Sequence, residues 1–196
     1  MAADLPGTVA HWLLASASLA AVLFFSVGLT SYFERRPDRP LWVRGLHDAG
    51  LLLSLAHVVG AFVLTPRSDG FAVAGTMMYT GAVLIFLSAI EAANRTRLQR
   101  AFIDHPLPDR LITDGPYGLV RHPFYLGYIV GALAPAVAFD NIAMVLVSAA
   151  MIAITLAAAF REERVWLASP RADAYRDYQR RTGMFLPLKT GLNRRT

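Results

Sequence analysis

The 196-residue chain has no cysteine, one lysine among 19 basic residues, and few charges overall, and each shortage removes a class of explanation. Without cysteine there can be no disulfide, no thiolate metal ligand and no thiol nucleophile, and the redox compartment cannot be read. The five histidines, His11, His47, His57, His105 and His122, are scattered and lack the paired spacing of a His-Glu-x-x-His helix, so no metal site is expected. A phosphate-cradling glycine loop, a nucleophilic serine elbow and a dinucleotide fingerprint are also missing, which argues against a serine hydrolase or a nucleotide-driven pump. No long linker, low-complexity block or fixed-period repeat interrupts the chain, so one domain over 1–196 is expected, with a three-helix part over 1–91 and a second part over 92–196. The near-absence of lysine beside eighteen arginines hints at a GC-rich bacterial genome.

Apolar residues are abundant. They make up 55% of the chain and charged residues only 17%, far from the balance of a soluble domain. A spanning helix needs about 20 predominantly apolar residues. Candidate spans run from Val9 to Phe33, Gly45 to Leu64, Phe71 to Ile90, Tyr125 to Phe139 and Ile142 to Phe160. The first lacks the basic residues that precede a signal peptide's apolar core and is too long for one, so it is expected to stay as a helix. The fourth is short and holds Gly127, Gly131 and Pro135, which predicts a tilt, a kink or an upstream extension. The expected architecture is all-α: a polytopic membrane protein of five transmembrane helices with a cytoplasmic motif loop and a carboxyl-terminal helical tail.

Charge placement orients these spans. Arg35, Arg36, Arg39 and Arg44 lie between the first two, and Arg95, Arg97, Arg100, Arg110 and Arg121 between the third and fourth. Nine more basic residues follow Phe160, whereas the other side has only Arg67. The excess of basic residues on one side predicts an amino terminus outside and a carboxyl terminus in the cytoplasm, in a bacterial inner membrane. A basic face beside anionic headgroups accounts for the net charge of +5, and no nucleic-acid partner is expected.

The polar segments long enough to build a site are the loop before the fourth span and the last 36 residues. Pro106, Pro108, Pro116 and Pro123 keep that loop from forming one helix, so it should lie along the membrane surface. Arg161 to Arg181 has helix-forming composition, broken at Ser169-Pro170, with Trp166, Tyr175 and Tyr178 as amphipathic anchors. The tight Asp140-Asn141 turn makes the last two spans antiparallel neighbours, so Tyr125 and Glu162 emerge on one face of the membrane. Arg121-His122 alone would read as a topology anchor, and Glu162-Glu163 alone as a solvated helix end. Together with the rings of Tyr117 and Tyr125, and with Gly115 and Gly127 allowing close backbone approach, they read as a site for a heterocycle. His47 and Asp48 could face that site. His57, in mid-span, reads as structural or as part of a polar pathway.

The run Leu111-Ile112-Thr113-Asp114-Gly115-Pro116-Tyr117, leading into Val120-Arg121-His122-Pro123-Phe124-Tyr125-Leu126-Gly127, resembles the signature of the isoprenylcysteine carboxyl methyltransferase family. The tail is similar too, with Arg161-Glu162-Glu163, then Tyr175 and Tyr178, then Phe185-Leu186-Pro187. The resemblance covers about Leu111 to Pro187 and departs from the family pattern at Ala172-Asp173-Ala174 and Met184. It implies an integral membrane enzyme that uses S-adenosyl-L-methionine, with residues 92–196 as its cofactor-binding part. Leu111, Ile112, Tyr117, His122, Pro123, Phe124, Tyr125 and Glu162 would contact the cofactor, and Arg121, Arg161 and Glu163 would serve catalysis and substrate orientation. Which glutamate holds the cofactor stays open. The acceptor would be a lipophilic or small molecule: a lipid amine, a small thiol, or an isoprenoid or fatty carboxylate. Two alternatives are a relative of the membrane sterol-type reductases, which bind NADPH and usually have more spans before the motif, and a non-enzymatic scaffold or carrier.

Overall fold

Five apolar runs become five helices in the computed structural model, which describes residues 8–32, 41–95 and 111–188. They are α1 (Val9–Tyr32), α2 (Leu41–Val63), α3 (Asp69–Arg95), α4 (Pro123–Ala138) and α5 (Ile142–Leu167), followed by a short polar helix, α6 (Ala172–Arg181). Phe33, Arg35, Arg36, Arg39, Arg97, Arg100, His105, Pro106, Pro108 and Arg110, on which parts of the span and topology reading rest, lie outside the described residues.

Local chemistry sets the helix ends. Asp69 places a negative charge in the first turn of α3, where the helix dipole favours it. Pro123 opens α4 at the first helical position, where its missing N–H costs nothing. Asn141 caps α5, its side-chain oxygen accepting from the amides of Ala143 at 2.9 Å and Met144 at 3.3 Å. Pro170 keeps α5 from running on into α6.

Four helices, α1, α2, α3 and α5, are long and apolar enough to cross a membrane. The 16 residues of α4 rise about 24 Å, less than the roughly 30 Å of a bilayer's hydrocarbon core. α1 packs on α3, α3 on α4, α4 on α5, α5 on α2 and α2 back on α1, so the helices close a ring. Its core joins Leu14, Ala21, Ala61, Tyr79, Ala134, Phe139 and Met144 from all five. α4 fits closely because Gly127 lies flat against α3: a Cβ there would sit 3.1 Å from the Ala82 carbonyl. The role expected for Gly127 is corrected accordingly, since its bare face meets a helix rather than a ligand.

A second correction concerns the last span. It was expected to end at Phe160, but α5 continues without a break to Leu167. Since α4 and α5 share the tight turn at Asp140-Asn141, the 26 residues of α5 outrun the 16 of α4 by ten, or about 15 Å. Arg161, Glu162, Glu163 and Trp166 all stand on this overhang.

Candidate functional site

The overhang of α5 meets the motif and the tail. Asp114 is extended and Gly115–Gly118 forms a single 3-10 turn, entered through Gly115 at φ 59°, a value that favours glycine. Beyond it, Val120 pairs in parallel with Gly183 of the tail. The Arg121 amide donates to the Gly183 carbonyl at 2.8 Å and the His122 amide to the Met184 carbonyl at 3.2 Å. Met184 therefore contributes backbone, which any residue could supply. Gly183 has no such freedom, because a Cβ there would collide with the Leu186 carbonyl.

Glu163 is the hub. One of its carboxylate oxygens receives Arg121 Nε at 2.8 Å and Nη2 at 2.7 Å, with His122 Nε2 at 3.1 Å. The other accepts from Gln179 on α6 at 2.8 Å. Arg121 also donates to the Thr182 carbonyl. Glu163 and Arg121 are only 11% and 10% exposed as side chains, so this is a buried ion pair that ties motif, α5, α6 and tail together.

Glu162 faces another way. Its carboxyl approaches the Tyr125 hydroxyl and the Trp166 indole, and its charge is felt at Tyr117. Tyr125 is buried with its ring 5.4 Å from that of His122, and His122 is flanked on another side by Phe185 at 5.9 Å. Tyr117 meets the edge of Phe124 at 6.3 Å, and its carbonyl accepts from the Tyr178 hydroxyl at 2.6 Å. The two adjacent glutamates thus have different partners: Glu163 is held by Arg121, His122 and Gln179, whereas Glu162 is turned toward Tyr125 and Trp166.

The remaining expected residues can be placed. Pro123 is buried as the first residue of α4. Leu111 packs on the cluster of Trp166, Tyr175 and Tyr178, while Ile112 is half-buried beside it in sequence. Arg161 is half-buried on the overhang, one residue ahead of Glu162. His47 and Asp48 are exposed and pair with each other at 3.4 Å. His57 is buried between α2 and α5, with Nε2 3.5 Å from Ser148 Oγ.

Trp166, Tyr175 and Tyr178, the amphipathic anchors of the tail, form a buried cluster. The Trp166 and Tyr175 rings stack at 5.5 Å, and this seats α6 against α5. Burial raises the Tyr117, Tyr175 and Tyr178 hydroxyls above the ordinary tyrosine range, and the glutamate charges nearby add to the effect. Gln179 was missed. Its signal was its position four residues after Tyr175, on the face of α6 that turns inward. Among the described residues no group of three histidine, aspartate or glutamate side chains is placed to hold a metal ion.

Comparison with known proteins supports the resemblance read from the motif. A chain of *Cupriavidus metallidurans* named cobalt-zinc-cadmium resistance protein CzcN is 36% identical over 77 residues, which cover 39% of this chain and 35% of that protein. The protein-S-isoprenylcysteine O-methyltransferase of *Schizosaccharomyces pombe* is 30% identical over 78 residues, covering 40% of this chain and 33% of the relative. The matched part spans about a third of the length of these curated relatives. No solved structure matches significantly. The phospholipid methyltransferase model matches residues 70–169, from the start of α3 through the overhang of α5. That match takes in just over half of the chain, which therefore belongs to the phospholipid methyltransferase family.

Proposed function

We propose that this chain is an integral membrane methyltransferase that uses S-adenosyl-L-methionine to methylate a lipophilic or small acceptor bearing a carboxylate, thiol or amine. The supporting observation is the meeting of motif and acidic pair on the overhang, where Glu163 is occupied by Arg121 and His122 while Glu162 turns to aromatic rings. In this reading α4 counts as a fifth span, the amino terminus lies outside and the carboxyl terminus in the cytoplasm of a bacterial inner membrane. Residues 1–196 act as one domain.

The side chains present suit the cofactor. Glu162 would hold its ammonium group, and the rings of Tyr117, Phe124, Tyr125 and His122, with Leu111, Ile112 and Pro123, would enclose its adenosyl part. When bound, S-adenosylmethionine would supply a sulfonium methyl group for an acceptor lone pair to attack, with neutral S-adenosylhomocysteine as leaving group carrying off the C–S bonding pair. The protein's work is then chiefly positioning. Arg121 and Glu163, paired with each other, act by fixing the motif against α5, and Arg161 is placed to orient a carboxylate of cofactor or acceptor. Packing of α5, α6 and the tail over the motif keeps water from the reacting groups.

Calorimetric titration of the purified chain with S-adenosylhomocysteine and with NADPH tests this. Saturable binding of the first is expected, weakened at least about tenfold in Glu162→Gln with helicity retained, as befits a lost charge-assisted hydrogen bond. Binding of NADPH alone would identify a reductase relative, and binding of neither a scaffold. Incubation with methyl-labelled cofactor and a total membrane lipid extract would then identify the acceptor.

A further inference from the structure

We infer that the Tyr128 hydroxyl anchors the methyl acceptor by donating a hydrogen bond to an oxygen of its headgroup, on the bilayer side of the site. This rests on the methyltransferase reading above. Tyr128 stands on α4 three residues after Tyr125, hence on the same helical face, and the two hydroxyls are within electrostatic reach of each other. Its hydroxyl oxygen is shielded from solvent and has no hydrogen-bond partner. Its ring packs edge-on against Phe25 of α1 at 5.0 Å and Phe86 of α3 at 5.5 Å. Phe86 touches Phe124 at 5.1 Å and Phe124 touches Tyr117, so a column of rings leads from inside the bundle to the motif.

A buried, unpaired hydroxyl at membrane depth is costly, and phenylalanine would fill the same space without that cost. The hydroxyl earns its place if something arriving along the column accepts its proton. An acceptor nucleophile must keep a lone pair for the methyl carbon. A neutral amine has only one, so a hydrogen bond donated to that nitrogen would block attack. An oxygen has lone pairs to spare: one oxygen of a carboxylate can accept from Tyr128 while the other attacks, and a headgroup oxygen near a thiol or amine can serve as a handle. An acceptor that reaches a hydroxyl set among the Phe25 and Phe86 rings is lipid-borne, and it carries an oxygen close to its nucleophile.

The test is Tyr128→Phe in the full chain, with Tyr79→Phe as a control that removes a buried hydroxyl from α3 away from the motif. For Tyr128→Phe the apparent KM for acceptor lipid in vesicles of total membrane lipid should rise about tenfold or more, with kcat little changed. Affinity for S-adenosylhomocysteine should hold, and the ligand-free melting temperature should stay level or rise, which loss of a structural tyrosine would not produce. Where no label transfer is measurable, retention of palmitate in detergent, read by native mass spectrometry, decides: weaker in Tyr128→Phe than in the wild type and in Tyr79→Phe. An unchanged KM, equal retention (none at all included), or a lower melting temperature with parallel loss of S-adenosylhomocysteine binding overturns the assignment. Failure of the wild type itself to bind S-adenosylhomocysteine overturns the methyltransferase reading instead, and this inference with it.

Discussion

At the end of the ring that carries the Asp140-Asn141 turn, the ion pair is exposed, and the packing of Leu14, Phe139 and Met144 does the holding. Arg67 reaches Asp140 at 3.3 Å with side chains 40% and 87% exposed. At the motif end a carboxylate is buried, and its partners Arg121, His122 and Gln179 come from the motif and from α6. The contrast separates two uses of charge. An exposed pair is cheap to form and cheap to lose, whereas a buried one pays heavy desolvation and makes each partner depend on the other. Buried charge is concentrated where the chemistry is proposed.

The strongest way to break the contrast is Glu163→Ala, which leaves Arg121 buried without its partner. It should cost about 3–5 kcal/mol, read by denaturation in detergent micelles. Adding Arg121→Met should recover much of that stability without restoring methyl transfer, because an apolar pair can replace a buried ion pair in the fold but cannot hold the motif in register.

Alkali acts on the same end. The folded state holds the Tyr117, Tyr175 and Tyr178 hydroxyls above the ordinary tyrosine value, so it binds more protons than the unfolded chain at high pH. Their contribution is therefore intact below about pH 10 and lost as pH rises through the folded values. Melting temperature should fall above about pH 10, and the absorbance of ionised tyrosine should appear together with unfolding.

The smallest effect belongs to the opposite end. Arg67→Ala should shift stability by no more than about 0.5 kcal/mol. A larger loss in the same denaturation experiment would mean that the two ends are less different than their burial indicates.

Helix identity and the tight turn were legible because apolar length and the Asp140-Asn141 break are local properties of the sequence. The convergence of motif and acidic pair was legible too, since it follows from one hairpin. What could not be read was which glutamate Arg121 would choose. That depends on how far α5 runs past Phe160, on the rotation of the overhang, and on a tail pairing between Val120 and Gly183, 63 residues apart, none of which leaves a periodic trace. Gly127 was misread for a related reason: close approach was evident from the residue, but its partner, the Ala82 carbonyl, was not.

The unbroken passage of α5 from membrane to site has a mechanical corollary. Each residue added to a helix advances it by 1.5 Å and turns it by about 100°. One extra residue anywhere between Asn141 and Arg161 would swing both glutamates about a quarter-turn away from Arg121 and Tyr125, even though bilayer and motif were otherwise undisturbed. The hairpin can therefore be lengthened to suit a thicker membrane only in steps near seven residues, which bring the helix back to nearly the same angle. The reach of the hairpin and the alignment of the candidate site are thereby tied to one length.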